Sequence, residues 1–471
     1  MTNEEWNNIK NSHTSAIKAP AGHGKTEMLT EIVENTDGKS LLLTHTNAGV
    51  DAIKKRMAKK GISSKKYRID TIASFCIKWC SAYYHTAGIN HPTVFNDQSN
   101  ATKPSYNQYY IGASTVFQND WAGSIIKCSY SRIVVDEYQD CTVVQHNIFK
   151  VLSKYIAITV LGDPLQGIFE FSETLVDWNN IDFPIIPIKT YPWRWKEVNP
   201  TLGTFLECIR EQLLPSLSNE NCTLDLKNNP NVTIIQPTDF NVYHLLPSIK
   251  KYGSVVFITK WERQQIEFCT RLGGIFQNDE IQECKELFAF SSEFDNNNGY
   301  KLALSVIGFM STCATHITTE LNSYIKRLKS ENCDFSRIKK HKNIGILLEK
   351  LCLSPTHQNL LKILKEFDSI NEFKIYRKEL YYEMLRSIIY AIEHKDTIYS
   401  AANHIRKDQC LQKRYTHFKF LSTRTLLAKG LEFDCVIIDM RDKLSAKDFY
   451  VAMTRAIKKI YIISESEQFY F

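Results

Sequence analysis

Residues 16–26 read AIKAPAGHGKT, a short apolar strand followed by a loop of small residues that ends in Gly24, Lys25 and Thr26. The spacing matches a phosphate-binding loop, in which glycines let backbone N–H groups turn toward phosphate oxygens at the positive end of a helix. In such a loop the lysine reaches the β- and γ-phosphates and the next hydroxyl ligates Mg²⁺. An isolated match of this length is equally consistent with a surface turn. The candidate nucleotide-binding residues are Ala19, Pro20, Ala21, Gly22, His23, Gly24, Lys25 and Thr26.

A second stretch supplies the acidic half of a nucleotide site. In SRIVVDEYQD, apolar residues lead into Asp136 and Glu137. A buried strand of this kind delivers one carboxylate to Mg²⁺ and a neighbouring carboxylate to the attacking water. The alternative is a solvated acidic turn that ends a strand. Because the phosphate-binding loop precedes this strand on the same predicted sheet, we favour a joint site for ATP and Mg²⁺, with Thr26 and Asp136 as metal ligands and Glu137 as the catalytic carboxylate.

The order of apolar runs predicts an α/β chain with two domains. Strands and helices alternate from Ala16 onward, which favours a parallel sheet wrapped by helices. A proline-rich stretch, FPIIPIKTYPW, suggests a boundary near Pro187, and SVVFITK, DCVIIDM and KKIYIIS read as buried strands of a second sheet. Polar residues without clean periodicity predict a surface insertion in the first domain, and a long helical pattern predicts an insertion in the second. The predicted organisation is 1–187 and 188–471, with insertions at about 82–123 and about 264–413.

Composition sets the broad class. The hydrophobic fraction of 43% excludes a disordered or fibrous chain, and the formal charge of +7 suits a polyanionic partner without requiring one. Thirteen scattered cysteines read as reduced thiols, and Cys76 and Cys80 as buried thiols rather than zinc ligands, so no structural metal is expected. The N-terminus has no apolar leader and no run is long enough to span a membrane, which predicts a cytoplasmic protein.

Specific motifs indicate a family. The core DEYQD, Asp136 to Asp140, resembles motif II of UvrD/Rep-like superfamily 1 helicases. Matches to that family's other motifs follow in its order from Ala16 to Ile463: LLLTHTNAGVDAIKKRM (motif Ia), TIASFCIKW, LGDPLQGIFEF (motif III), TYPWRW (motif IV), LAKGLEFD (motif V) and FYVAMTRAIKKIY (motif VI). The resemblance implies two RecA-like P-loop domains that hydrolyse ATP and move 3′-to-5′ along single-stranded or partly duplex DNA.

The resemblance also assigns roles to single residues. Gln166 would sense the γ-phosphate, and Arg194 and Arg455 would act as arginine fingers. Guanidinium groups stabilise the charge that builds on transferring phosphoryl oxygens, which agrees with this assignment. A finger delivered from the second domain would make hydrolysis depend on domain closure. Gly430 and Glu432 of motif V would contact the ribose or the strand.

Candidate DNA contacts come from three of the motifs. Polar side chains of motif Ia and the next motif are suited to the backbone, and aromatic rings of motif III offer faces on which bases stack. For the aromatic residues, burial in the core is an equally good interpretation. The candidates are Thr44, Thr46, Asn47, Ser74, Phe75, Phe169 and Phe171.

Departures from the family pattern leave alternatives open. No glutamine precedes Gln98, so the residue that usually reads adenine ahead of the phosphate loop is missing and the choice of ATP over GTP is undecided. Short chains of this build resemble the helicase subunit of Gabija-type antiphage systems, whose partner is an OLD-family (TOPRIM) nuclease. A role in DNA repair or antiphage defence is therefore expected. The alternative is a DNA- or nucleotide-sensing subunit that gates a partner nuclease with little unwinding of its own.

Overall fold

The computed structural model describes residues 1–89, 106–168, 174–227, 229–238, 242–279, 285–409 and 418–471. It contains two compact units. The first unit comprises Met1–Asn231, Leu444–Lys458 and Glu467–Phe471, and the second comprises Val232–Lys443 and Lys459–Ser466. Within the described ranges, no helix is both long and apolar enough to cross a membrane.

A five-stranded parallel sheet organises the first unit. Its strands are β1 Thr14–Lys18, β2 Ser40–Thr44, β3 Tyr67–Thr71, β4 Arg132–Val135 and β5 Ala157–Gly162. Their spatial order is β1-β5-β4-β2-β3. Every residue of β2 and β4 is buried, as expected for a parallel sheet with both faces covered. Because parallel strands end at one edge, the loops after β1, β4, β5 and β2 share that edge, where ligands of open α/β sheets bind.

Helices cover this sheet. They are α1 Asn3–Asn11, α2 Lys25–Asn35, α3 Asn47–Lys59, α4 Ile72–Ala82, α5 Tyr84–Ala87, α6 Tyr106–Phe117, α7 Asp120–Ser129, α8 Val143–Leu152 and α9 Pro200–Leu213. Side-chain caps fix several starts: Thr46 accepts the Gly49 N–H at α3, and Thr142 forms a capping box with Gln145 at α8. On α4, Cys76 and Cys80 are both fully buried, as predicted for core thiols.

The predicted surface insertion at 82–123 is only partly on the surface. Its described part contains α5, α6 and α7, and residues 90–105 lie outside the described ranges. Tyr109, Ala113, Val116 and Phe117 on α6 are buried in the core beside α4 and α8. The expectation of a surface segment is wrong for α6. Its four buried residues recur at helical spacing, but the polar residues between them obscure this pattern in the sequence.

A second, six-stranded sheet organises the second unit. Its strands are β7 Val232–Ile235, β8 Val255–Thr259, β9 Gln277–Asn278, β10 Phe420–Arg424, β11 Phe433–Asp439 and β12 Ala456–Ile463, in the order β7-β12-β11-β8-β10-β9. The pairs of β8 with β10 and β11, of β9 with β10, and of β7 with β12 are parallel. Its accompanying helices are α10 Val242–Ile249, α11 Glu262–Arg271 and α20 Thr425–Ala428.

A helical segment with its own core interrupts this sheet. Its helices are α12 Lys285–Asn296, α13 Gly299–Cys313, α14 Ile317–Glu320, α15 Asn322–Lys329, α16 Lys342–Leu353, α17 His357–Ser369, α18 Lys378–His394 and α19 Ile398–Gln409. They bury one apolar cluster that includes Phe309, Phe367 and Tyr381. The helical part begins at Lys285, since α11 and β9 pack with the sheet, and the predicted end at 413 lies outside the described residues.

The predicted α/β class, with parallel sheets flanked by helices, is confirmed. The boundary near Pro187 stays a prediction about the domains. The compact units themselves divide at Asn231, and the first unit also holds α21, Ala446–Met453, and the antiparallel pair β6, Thr223–Asp225, with β13, Gln468–Tyr470.

Candidate nucleotide-binding and hydrolysis site

The phosphate-binding loop connects β1 to α2. Gly24 is the N-cap of α2 with φ of 85°, and Gly22 has φ of 71°, values that L side chains rarely adopt. The first N–H groups of α2, from Lys25 onward, have no partner inside the helix, so they are suited to an anion. Nζ of Lys25 donates to the carbonyl oxygen of Ala19 at 3.2 Å, which places the ammonium over the loop.

Trp195 lies under the loop and explains one of its glycines. A Cβ on Gly22 would lie 2.6 Å from Cζ3 of Trp195, closer than real contacts allow. The indole of Trp195 is 1% exposed, and its Nε1 donates to the carbonyl oxygen of Ala456 at 2.7 Å. Arg194 N donates to the carbonyl oxygen of Gly22 at 3.1 Å. The segment TYPWRW is therefore packed directly against the phosphate-binding loop.

The acidic pair follows β4. The Asp136 side chain is 7% exposed, and Oδ1 of Asp136 accepts the Glu137 N–H at 2.9 Å. Glu137 has φ of 53°, a left-handed conformation that is uncommon outside glycine and clusters at functional sites. Nε2 of Gln139 donates to Oε2 of Glu137 at 2.5 Å, which fixes the direction of that carboxylate.

Electrostatics at this pair favour a cation. Burial and the neighbouring Glu137 carboxylate raise the pKa of Asp136 to about 7, while the Lys25 ammonium opposes this shift. A buried carboxylate whose charged form is so disfavoured is stabilised by a bound metal ion. The oxygen donors of Asp136 and Thr26 are of the kind that Mg²⁺ prefers.

Asp163, immediately after β5, connects the loop to the Gln166 segment. Its side chain is fully buried. Oδ2 of Asp163 accepts hydrogen bonds from Ala21 N at 3.0 Å, Gln166 Nε2 at 3.0 Å and the Tyr450 hydroxyl at 3.1 Å. Burial raises the pKa of Tyr450 well above its usual range, and Asp163 adds to this, so the phenol stays a donor. Nη2 of Arg210 lies 3.4 Å from Oδ1 of Asp163.

Both candidate arginine fingers lie in the first unit. Arg455 is 2% exposed, and its Nη2 donates to Oε1 of Gln166 at 3.2 Å and to Oγ1 of Thr454 at 3.0 Å. Nη1 of Arg194 donates to the carbonyl oxygen of Thr454 at 2.6 Å. The structure thus joins Arg194, Gln166 and Arg455 in one hydrogen-bonded group.

Sequence reasoning missed three residues of this site: Trp193, Gln139 and Asp163. The Trp193 ring is 56% exposed, and a Cβ on Gly24 would lie 3.2 Å from its Cδ1, so the indole lies against the end of the phosphate loop. The position of Trp193 in TYPWRW, directly before the candidate finger Arg194, could have indicated it from the sequence. No sequence pattern marks Gln139 and Asp163 as partners, because residues 24 apart meet only when β4 and β5 are adjacent.

The DNA candidates fall into two groups. Thr46 caps α3, Asn47 is exposed at its first turn, and Ser74 is half-buried in the first turn of α4. In contrast, Thr44 is 2% exposed at the end of β2 and Phe75 is 6% exposed.

Phe75 is a core residue. Its ring stacks on Phe117 with centroids 5.6 Å apart and meets Trp79 edge-on at 6.4 Å. The structure therefore favours core packing over base stacking for this side chain. Phe169 and Phe171 lie outside the described residues.

The motif V candidates belong to the second unit. Gly430 has φ of 82° in the turn between α20 and β11, and the Leu431 N–H donates to the carbonyl oxygen of Ala428 at 3.0 Å. Glu432 is exposed and lies directly before β11. Glycine is required at 430 by the backbone conformation alone, since a Cβ there would meet nothing within 4 Å.

One comparison with known proteins covers the site. Residues 3–172 match a family model described as an AAA domain. This range includes the phosphate-binding loop, the acidic pair and Gln166. A comparison with curated proteins found no match.

Two solved structures are similar at low identity. One is the helicase nonstructural protein 10 of an arterivirus in complex with DNA, at 10% identity and a TM-score of 0.35, covering 97% of this chain and 62% of that one. The other is the Pif1 helicase from Candida albicans, at 11% identity and a TM-score of 0.39, covering 99% of this chain and 95% of that one. The chain thus spans less than two thirds of the arterivirus protein. The α/β fold itself follows from the strand order of the two sheets.

Proposed function

We propose that this chain is an ATP-hydrolysing motor that moves along single-stranded DNA. The observation that carries the proposal is the hydrogen-bonded path from Ala21 through Asp163 and Gln166 to Arg455. It ties the phosphate-binding loop to both the γ-phosphate sensor and an arginine finger. A module that only binds nucleotide has no need of this set, whereas a hydrolase does.

Each group has a distinct task in hydrolysis. Lys25 and the N–H groups that begin α2 bind the phosphates, and Thr26 and Asp136 would hold Mg²⁺. The metal ion, when bound, neutralises charge on the phosphate oxygens. Glu137, oriented by Gln139, accepts the proton of the attacking water. Arg194 and Arg455 donate to the oxygens of the transferring phosphoryl group.

Trp193 is proposed to contact the nucleobase of the bound nucleotide. Its exposed ring lies beside the end of the phosphate-binding loop, where a nucleobase joined to the bound phosphates stacks on an aromatic face. Stacking does not read the edge of the base. We therefore propose that Trp193 supplies affinity without distinguishing ATP from GTP, in keeping with the missing upstream glutamine.

DNA binding is proposed for the loop after β2. This strand pairs in parallel with β4, whose end carries the acidic pair, so Thr46 and Asn47 follow the strand next to the hydrolysis site. A movement of Glu137 on nucleotide binding or release therefore occurs close to Thr46 and Asn47. This proximity supports coupling between ATP hydrolysis and the affinity for single-stranded DNA.

The finer identity rests on the motif resemblance. We propose a UvrD/Rep-type motor with 3′-to-5′ polarity, acting in DNA repair or antiphage defence beside an OLD-family (TOPRIM) nuclease. Pull-down of the tagged chain from its native host tests the partner. Recovery of a TOPRIM nuclease supports that part of the proposal, and its repeated absence from the recovered proteins counts against it.

A displacement assay tests the motor. Streptavidin bound to biotin at the 3′ or the 5′ end of an oligonucleotide is challenged with the chain, ATP and Mg²⁺, using Lys25→Ala as the control. The proposal predicts ATP-dependent displacement from the 5′ end only, and none by the variant. Nucleotide turnover without displacement from either end would favour the nucleotide-sensing subunit instead.

A further inference from the structure

His23 stands inside the phosphate-binding loop, between its two glycines of positive φ, yet it points away from solvent. The side chain is 3% exposed. Nδ1 of His23 lies 2.8 Å from the carbonyl oxygen of Ala21, and Nε2 lies 2.9 Å from Oε1 of Glu207 on α9. Both ring nitrogens therefore have a partner at hydrogen-bond distance.

Both partners of the ring are hydrogen-bond acceptors. A carbonyl oxygen and a carboxylate oxygen only accept hydrogen bonds, so each ring nitrogen must donate for both bonds to form. A neutral imidazole has one N–H, and an imidazolium has two. The Glu207 side chain is 39% exposed and reaches water. His23 thus connects the phosphate-binding loop to Glu207 on α9 through its two ring nitrogens.

The same helix holds the loop at a second point. Arg210 lies one turn after Glu207 on α9, and its guanidinium pairs with Asp163, which accepts the Ala21 N–H. The peptide groups on both sides of Ala21 are therefore fixed from α9: its carbonyl oxygen through His23 and its N–H through Asp163. A carbonyl oxygen that is bound by His23 does not turn toward the phosphate oxygens, which would repel it.

We propose that His23 and Glu207 are positioning residues for nucleotide binding, forming a hydrogen-bonded clamp that fastens the phosphate-binding loop to α9. This inference rests on the proposed nucleotide site, and it goes beyond the motif pattern, which includes no residue of α9. The clamp acts on affinity, because it fixes the shape of the loop before the nucleotide arrives. It does not touch the reacting atoms.

The test is a double-mutant cycle on nucleotide affinity. Wild type, His23→Gln, Glu207→Gln and the double variant are titrated calorimetrically with a non-hydrolysable ATP analogue and Mg²⁺, without DNA. Loss of a hydrogen bond to a charged group is expected to raise the Kd of each single variant about tenfold. The double variant is expected to match the single variants, because the pair is already broken. Glu197→Gln, an exposed carboxylate just before α9, is the matched control and keeps the wild-type Kd.

Steady-state kinetics separate positioning from general weakening of the fold. The clamp predicts a higher KM for ATP with kcat almost unchanged in Glu207→Gln, and an unchanged melting temperature, since Glu207 is partly exposed. Equal Kd values for wild type and Glu207→Gln, or losses that multiply in the double variant, would overturn the clamp alone. A wild type that binds no nucleotide would overturn the proposed site and the clamp together.

Discussion

Arg455 and Gln166 are hydrogen-bonded side chain to side chain, with 3.2 Å between Nη2 of the arginine and Oε1 of the glutamine. Both are almost fully buried, although they are 289 positions apart in the chain. A buried guanidinium is held in one orientation by such contacts, and this orientation is what a finger requires.

Replacement of Arg455 by lysine tests the finger directly. Lysine keeps the charge but loses the planar fork, so kcat for ATP hydrolysis is expected to fall roughly 10²- to 10³-fold with nucleotide affinity little changed. The control is Arg441→Lys, which breaks a bidentate pair with Asp439 in the second unit and should leave kcat close to wild type. Equal kcat for the two variants would contradict the assignment.

Gly22 is expected to be intolerant of any side chain. Gly22→Ala combines a positive φ with a Cβ 2.6 Å from Trp195. Gly61→Ala is the matched control, with φ of 70° and nothing within 4 Å of the new Cβ. Denaturant unfolding should show a loss of roughly 1 kcal/mol for Gly61→Ala from the backbone alone, and roughly 1–3 kcal/mol more for Gly22→Ala from overpacking. Similar losses for both would mean that the Trp195 contact relaxes without cost.

Trp193 is expected to set nucleotide affinity without setting base choice. Trp193→Ala should raise the Kd for ATP and for GTP by similar factors, about tenfold if stacking contributes as it does for single-stranded nucleic acids. Trp261→Ala is the control, since this ring is also 56% exposed but lies in the second unit. A selective loss of ATP affinity would instead show that Trp193 reads the adenine edge.

Phe75 should behave as a core residue. Phe75→Ala removes a ring packed against Phe117 and is expected to lower the free energy of unfolding by about 3–5 kcal/mol, measured by denaturant titration. The folded variant should keep its affinity for single-stranded DNA. Asn47→Ala, at an exposed position, should keep the free energy of unfolding and lose affinity for single-stranded DNA. A DNA-specific defect in Phe75→Ala at wild-type stability would show that this ring contacts bases.

Local patterns predicted the parts of the site that lie in one stretch of chain. The loop around Lys25 and the pair Asp136 and Glu137 each follow an apolar strand, and the α/β class followed from the same alternation. These features depend only on residues near one another in sequence. A parallel sheet then brings the strand ends to one edge.

The contacts that join these parts could not be predicted in the same way. Asp163 receives hydrogen bonds from Ala21, Gln166 and Tyr450, and no spacing in the sequence relates these positions. The sequence shows His23 only as a residue of the phosphate-binding loop, and its contact with Glu207 depends on the position of α9 in the fold. Phe75 was equally suited to core and surface, and only the packing of α6 against α4 decides it.

The most direct test of the motor is steady-state ATP and GTP hydrolysis by the purified chain, with and without single-stranded DNA, beside Glu137→Gln. The variant replaces the catalytic carboxylate by an amide of the same shape and should bind nucleotide without hydrolysing it. Strong stimulation by DNA in the wild type, abolished in the variant, is the predicted result. A hydrolysis rate that does not change when DNA is added, or one that stays at the wild-type level in Glu137→Gln, would contradict the account.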